Sequence, residues 1–213
     1  AVEAKLMSKF PTRKPIPRFR PVAPQSCAVD AKTLIREARS FPRDAAAGPT
    51  GLRPHFIVDV LGTEGEEGPI AGVFVEFVQL FVDGHVPGYL RMWYAGGSLI
   101  GIGKDGKPLE EDARPIVVGE TWRRLAAKIA LSYEKEDLQG KLKPHQLACS
   151  MRSGAEVIIH CLRQWLDRNA ANRNAVLLNK DYENAFNLAD EHELLTCTYN
   201  DLPDCARLAE WCY

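Results

Sequence analysis

The chain has 213 residues, 46% hydrophobic and 26% charged, which is enough apolar material for a sizeable core and excludes global disorder. Twenty-seven Lys and Arg against 28 Asp and Glu leave a formal charge of −1, which excludes a histone-like protein that holds nucleic acid by bulk charge. The longest apolar-rich stretch, 70–82, carries Glu76 and Gln79 and is shorter than a bilayer crossing of ~20 residues, so no membrane span is expected.

In chain order, residues 1–24 set Lys5, Lys9, Arg13, Lys14, Arg18 and Arg20 against the single acid Glu3, and five prolines interrupt the second half. This composition predicts a basic, Pro-rich extended arm over 1–28, suited to lying along an acidic surface or a nucleic-acid backbone. Asp30 is placed to cap a helix over 31–41 that aligns Leu34, Ile35, Ala38 and Phe41 on one face, with Pro42 ending it. A turn-rich stretch, 44–51, leads into a short helix through Phe56, Ile57, Val60 and Leu61, and 62–69 is a Gly/Glu loop. Ile70, Val73, Phe74, Phe77, Leu80 and Phe81, spaced by threes and fours, predict a longer helix stopped by Gly84 and Pro87.

Residues 98–103 and 114–118 read as two strands joined through a tight turn at 104–107, a hairpin with basic residues at its tip and on its return. A helix over 120–133 follows with Trp122, Leu125, Ile129 and Tyr133 inward, then another over 154–168 burying Val157, Ile158, Cys161 and Trp165. Residues 175–178 have the composition of a short buried strand that delivers Asp181 at its exit; 185–195 and 205–212 read as helices. The class expected is α+β, organised as the arm (1–28), a middle region (29–174) and a final segment (175–213).

The chemistry-bearing feature is Asp181, followed by Tyr182, Glu183 and, five residues on, Phe186, with Lys104, Lys107 and Arg114 on the upstream hairpin. A carboxylate held at a strand end can bind a hard divalent cation, and a Lys/Arg pair on a hairpin tip can grip a triphosphate. An Asp after a strand is also the ordinary cap of a following helix. Other groupings are weaker. The six cysteines contain no CxxC, and the spacings of His192, Cys197, Cys205 and Cys212 fit no familiar zinc knuckle. His160 and Cys161 are adjacent on a helix and point in different directions, and Gly101-Ile-Gly103 lacks the third glycine of a dinucleotide fingerprint. Cysteine use favours an intracellular setting, and Ala1 in place of Met reads as a fragment or a processed form, which is compatible with an organelle.

Three stretches carry a family resemblance: Ser-Phe-Pro-Arg-Asp-Ala-Ala-Ala-Gly-Pro-Thr-Gly-Leu-Arg-Pro at 40–54, Arg-Pro-Ile-Val-Val-Gly-Glu-Thr-Trp-Arg-Arg-Leu at 114–125, and Asp-Tyr-Glu-Asn-Ala-Phe-Asn at 181–187. In order and spacing the chain from about residue 30 resembles the N-terminal half of a reverse transcriptase of the non-LTR retroelement type, an RNA-directed DNA polymerase. The resemblance implies helical fingers with a hairpin over 29–174, then the first strand and helices of an incomplete palm. It implies that Asp181 is the first metal-binding, catalytic aspartate, with the carbonyl of Tyr182 beside it, that Phe186 crowds the sugar 2′ position, and that Arg114 with Lys104 or Lys107 meets the incoming dNTP. It implies Mg²⁺ as cofactor and an RNA/DNA template-primer as partner.

The sequence departs from the family in one decisive respect. Only 32 residues follow Asp181 and no Asp-Asp dipeptide occurs, whereas nucleotidyl transfer on two Mg²⁺ ions needs further carboxylates. Lys180, next to Asp181, stands where the family keeps an apolar residue and could neutralise the carboxylate. Two readings follow. The chain is a polymerase portion that does not polymerise as it stands, or it is a retroelement-derived, non-catalytic subunit of a larger protein assembly held by its basic arm.

Overall fold

A computed structural model describes residues 2–10, 26–62, 68–103, 106–109, 111–182, 185 and 187–213. In chain order the helices are α1 (Val2–Met7), α2 (Ala31–Arg39), α3 (Pro54–Gly62), α4 (Pro69–Val82) and α5 (Arg91–Tyr94), the last entered through a 3-10 turn at Gly88–Leu90. Strands β1 (Gly97–Gly103) and β2 (Ala113–Gly119) come next, then α6 (Thr121–Leu142), α7 (Leu147–Ser150), α8 (Gly154–Asn169), α9 (Glu191–Asp201) and α10 (Pro203–Cys212). The fold is α+β: mostly helical, with a two-stranded antiparallel sheet among the described residues. The chain divides into two units, Ala1–Tyr133 with Phe186–Tyr213, and Glu134–Ala185.

In the first unit, α2 starts where Asp30 leaves extended backbone and its carboxylate accepts the Thr33 N–H at 2.8 Å. The helix then buries Leu34, Ile35 and Ala38, the face predicted from spacing. That N–H and the Tyr133 hydroxyl, 2.7 Å away, hold the Asp30 carboxyl down at about 2, against the opposing effect of partial burial. A folded-state value below the unfolded one stabilises the protein fully above about pH 4 and loses that contribution as pH falls through about 2. Asp30 is exposed, and solvent screening keeps the effect small. Asp30→Ala is therefore expected to lower stability by about 1 kcal/mol at pH 6, the usual value of an N-cap. The difference between the two urea midpoints should shrink toward zero as the pH approaches 2.

Helix α4 begins with Pro69 directly after Gly68 and ends in a Schellman arrangement, with Gly84 N–H on the Phe81 carbonyl (3.1 Å) and His85 N–H on the Leu80 carbonyl (2.8 Å). Gly84 is left-handed (φ 67°), and a Cβ there would lie 2.8 Å from the Arg207 carbonyl, so glycine both stops α4 and lets α10 approach. Phe81, Val78, Leu34, Leu61, Leu125 and Ile129 form the buried centre, with Trp122 and Trp211 packed against it.

The hairpin register pairs Ile100 with Ile116 and Ile102 with Arg114. Alternation puts Ile100, Ile102 and Ile116 on one exposed face. Gly101 belongs to the other face, where the Leu6 and Leu109 side chains come within 3.3–3.6 Å of a notional Cβ. Leu6 is itself buried and α1 packs on β2. An isolated two-stranded sheet is marginal in water, and α1 supplies the missing layer.

Four expectations are corrected. Residues 2–7 are helical, not extended: no proline precedes Pro11, Glu3 lies in the first turn and Lys5 in the last, and Leu6 gains burial. The Pro-rich remainder, 11–25, lies outside the described residues. Residues 175–178 form no strand, and Val176, Leu177 and Leu178 are 81, 53 and 73% exposed. A strand needs a neighbour, and among the described residues β1 and β2 pair only with each other. Helix α8 forms as predicted, yet Ile158, Cys161 and Trp165 stay exposed and Val157 is only half-buried. Finally, α9 starts at Glu191, where Asp190 caps it through the His192 and Glu193 N–H groups, so 187–190 are not helical.

Candidate functional site

The hairpin connection folds back closely: a Cβ on Gly103 would lie 2.4 Å from the Lys107 carbonyl oxygen, and Gly106 takes φ 76°. Both glycines are thus required for the turn that carries Lys107. Lys107 and Arg114 are exposed. At the same end Asp112 pairs with Lys9 at 2.9 Å, which ties the residues after α1 to the hairpin. Lys104 lies outside the described residues.

The base of the hairpin is held by a network that sequence reasoning missed. Glu120 follows β2 directly and is 0% exposed. Its carboxylate accepts the Thr50 N–H at 3.1 Å and the Thr121 N–H at 2.9 Å. The Thr121 hydroxyl donates to the Leu52 carbonyl at 2.5 Å, and Arg124 donates to the Ala46 carbonyl at 2.6 Å. Burial pulls the Arg124 guanidinium below its ordinary range; Glu120 opposes the shift and Arg123 adds to it. A carboxylate removed from water needs such donors. The arrangement fixes the 46–52 loop against the junction of β2 and α6, and thereby sets where α3 begins. An acid between Gly119 and Thr121, at the entrance of an amphipathic helix, was the available signal.

Asp181 and Tyr182 belong to the second unit, Lys107 and Arg114 to the first. Asp181 is exposed in a segment without regular secondary structure, and Tyr182 is 71% exposed. The strand expected to fix the carboxylate is not formed. Lys180 and Asp181, both described, make no ion pair with each other. Phe186 and Glu183 lie outside the described residues.

Among the described residues no three His, Cys, Asp or Glu side chains gather into a group able to hold a metal ion, and this includes His192, Cys197, Cys205 and Cys212. Asp181 with one carbonyl does not fit a pair of Mg²⁺ ions, which require several oxygen ligands from the protein. His160 and Cys161 are both exposed on α8. No described helix is long and apolar enough to cross a membrane. Comparison with family models, with curated proteins and with solved structures finds no match to this chain.

Proposed function

We propose that this chain is the fingers and early-palm portion of an RNA-directed DNA polymerase of the non-LTR retroelement type, able to hold a nucleotide triphosphate but not to polymerise by these residues alone. The observation that supports this reading is the antiparallel hairpin with exposed Lys107 and Arg114, continuing through the buried Glu120 into α6. A Lys/Arg pair on one hairpin suits phosphate oxygens, Arg through its planar fork and Lys as a point charge, with Glu110, Glu111 and Asp112 lying between the two in sequence. Neither Lys107 nor Arg114 has an ion-pair partner among the described residues.

Titration of the chain with a deoxynucleoside triphosphate and Mg²⁺ in a calorimeter tests the first half. Arg114→Ala is expected to weaken binding at least tenfold, the loss of one charge-assisted contact of ~1.5–3 kcal/mol. Equal binding by wild type and variant would remove the hairpin from the proposal. A primed RNA template tests the second half: no Mg²⁺-dependent extension is expected, and extension abolished by Asp181→Asn would overturn it.

One observation favours a second reading, a non-catalytic subunit of a protein assembly. In the second unit Ile158, Ile159, Trp165 and Leu166 of α8 and residues 176–178 are all exposed. Apolar exposure on that scale is typical of surfaces covered by a partner. The partner would not be held by Leu6 of α1 or by Lys9 just after it, because both are already engaged with this chain's own hairpin.

A further inference from the structure

A concave feature of the first unit belongs to neither reading. Where α2 ends and α3 begins, a cavity of about 530 Å³ is lined by Arg39, Phe41, Arg43, His55, Val58 and Asp59. Small-molecule sites fall in this size range. Three observations bear on what it would hold. First, Arg39 and Arg43 are exposed and have no acid paired with them among the described residues. Arg39 is the last residue of α2 and Arg43 lies in the turn after Pro42, so two guanidiniums from different segments line one cavity and suit an anion held between them.

Second, His55 Nδ1 is closed off from solvent and has no hydrogen-bond partner. A ring nitrogen without a partner is unfavourable, and the half-buried His55 ring, which lines the cavity, would gain one by turning toward a bound acceptor or donor. His55 lies in the first turn of the nine-residue α3, the end of a helix that favours negative charge. Third, the remaining wall is apolar, from Phe41, Pro42, Ala38 and Val58. The Phe41 ring is already flanked by two further cations, Lys128 at 4.5 Å and Arg124 at 5.6 Å from its centroid. Asp59 is the one acid on the wall. It opposes a second anionic group and so favours a monoester over a polyphosphate.

We propose that this cavity binds a small organic phosphate monoester. Arg39 and Arg43 hold the phosphate, His55 bonds to it, and the organic part lies against Phe41, Pro42 and Val58. The proposal does not rest on the polymerase reading, and Arg114 takes no part in it.

The test uses the full chain, with phenyl phosphate and inorganic phosphate as probes in a calorimeter. Phenyl phosphate is expected to bind one-to-one and at least tenfold more tightly than inorganic phosphate. The Arg39→Gln/Arg43→Gln double variant should weaken it at least tenfold, while Arg173→Gln, an exposed arginine of the second unit, leaves it unchanged. In the wild-type protein, the His55 ring resonances should shift on saturation with phenyl phosphate, a readout independent of any variant. Absence of one-to-one binding, binding indifferent to the double variant, equal affinity for inorganic phosphate, or unmoved His55 resonances would each overturn the proposal. Displacement of phenyl phosphate by a single-stranded oligoribonucleotide at a hundredfold lower concentration would overturn it as well, by making the surface a polynucleotide contact.

Discussion

Phe81→Ala is expected to lower the stability of the first unit by about 3–5 kcal/mol, a large share of the 5–15 kcal/mol that holds an ordinary domain. The ring is 0% exposed and meets Phe77, Tyr94 and Trp211 edge-on at centroid separations of 5.4, 5.3 and 5.7 Å. Those partners come from α4, α5 and α10, so a single truncation opens a void shared by three elements. Phe77 and Phe74 both meet Trp122 edge-on, at 5.1 Å each, which carries the disturbance to the start of α6. Urea unfolding followed by tryptophan emission would show a lower midpoint and, before unfolding, emission moved to the red as Trp211 loses its neighbour. A midpoint within the error of wild type would mean that α4, α5 and α10 do not share this core.

Gly48→Ala should cost about 2–3 kcal/mol, the upper range for forcing a methyl into a packed site. A Cβ at 48 would stand 2.5 Å from Glu120 Cα, 2.7 Å from the Gly119 carbonyl oxygen and 2.9 Å from Glu120 N. All three are backbone atoms, so no rotamer change relieves the overlap. The loop must lift, and in lifting it separates Thr50 N–H from the Glu120 carboxylate. Amide hydrogen exchange should quicken at Thr50 and Thr121 together. Gly51→Ala is the control, because Gly51 has open space around its Cβ position and only its φ of 80° to oppose a side chain. Its penalty should stay near 1–2 kcal/mol, with Thr50 exchange unchanged.

What the sequence could and could not reveal divides along physical lines. The helices α2, α3 and α4 and the hairpin were legible because their signals are local. Asp30 sits three residues before the N–H it accepts, apolar residues recur at threes and fours, and Gly84 marks a C-terminus that only a left-handed residue completes. The 175–178 segment was misread because a run of Ala, Val, Leu and Leu describes a buried strand only if a neighbouring strand exists, and pairing is not encoded in four residues. Burial on α8 failed for a similar reason: spacing tells which residues share a face, not what covers it. The Glu120 network joins positions 70 residues apart, and the α2–α3 cavity depends on how two helices meet, so neither had a local signature. In the candidate polymerase site, residue types were readable from the motifs, while the rigidity expected of Asp181 depended on the strand that is not formed.

The docking of α1 has a consequence for handling the protein. With Leu6 seated over Gly101, the two-stranded ribbon has one side covered in part, where Leu99 and Val117 stay exposed, and one side bare. Cleavage after Lys5, as trypsin would make it, removes the first turn that keeps Leu6 in place. The ribbon is then bare on both sides, and two such ribbons can sandwich each other. Preparations nicked near the N-terminus should consequently clump on storage while the intact chain stays dispersed.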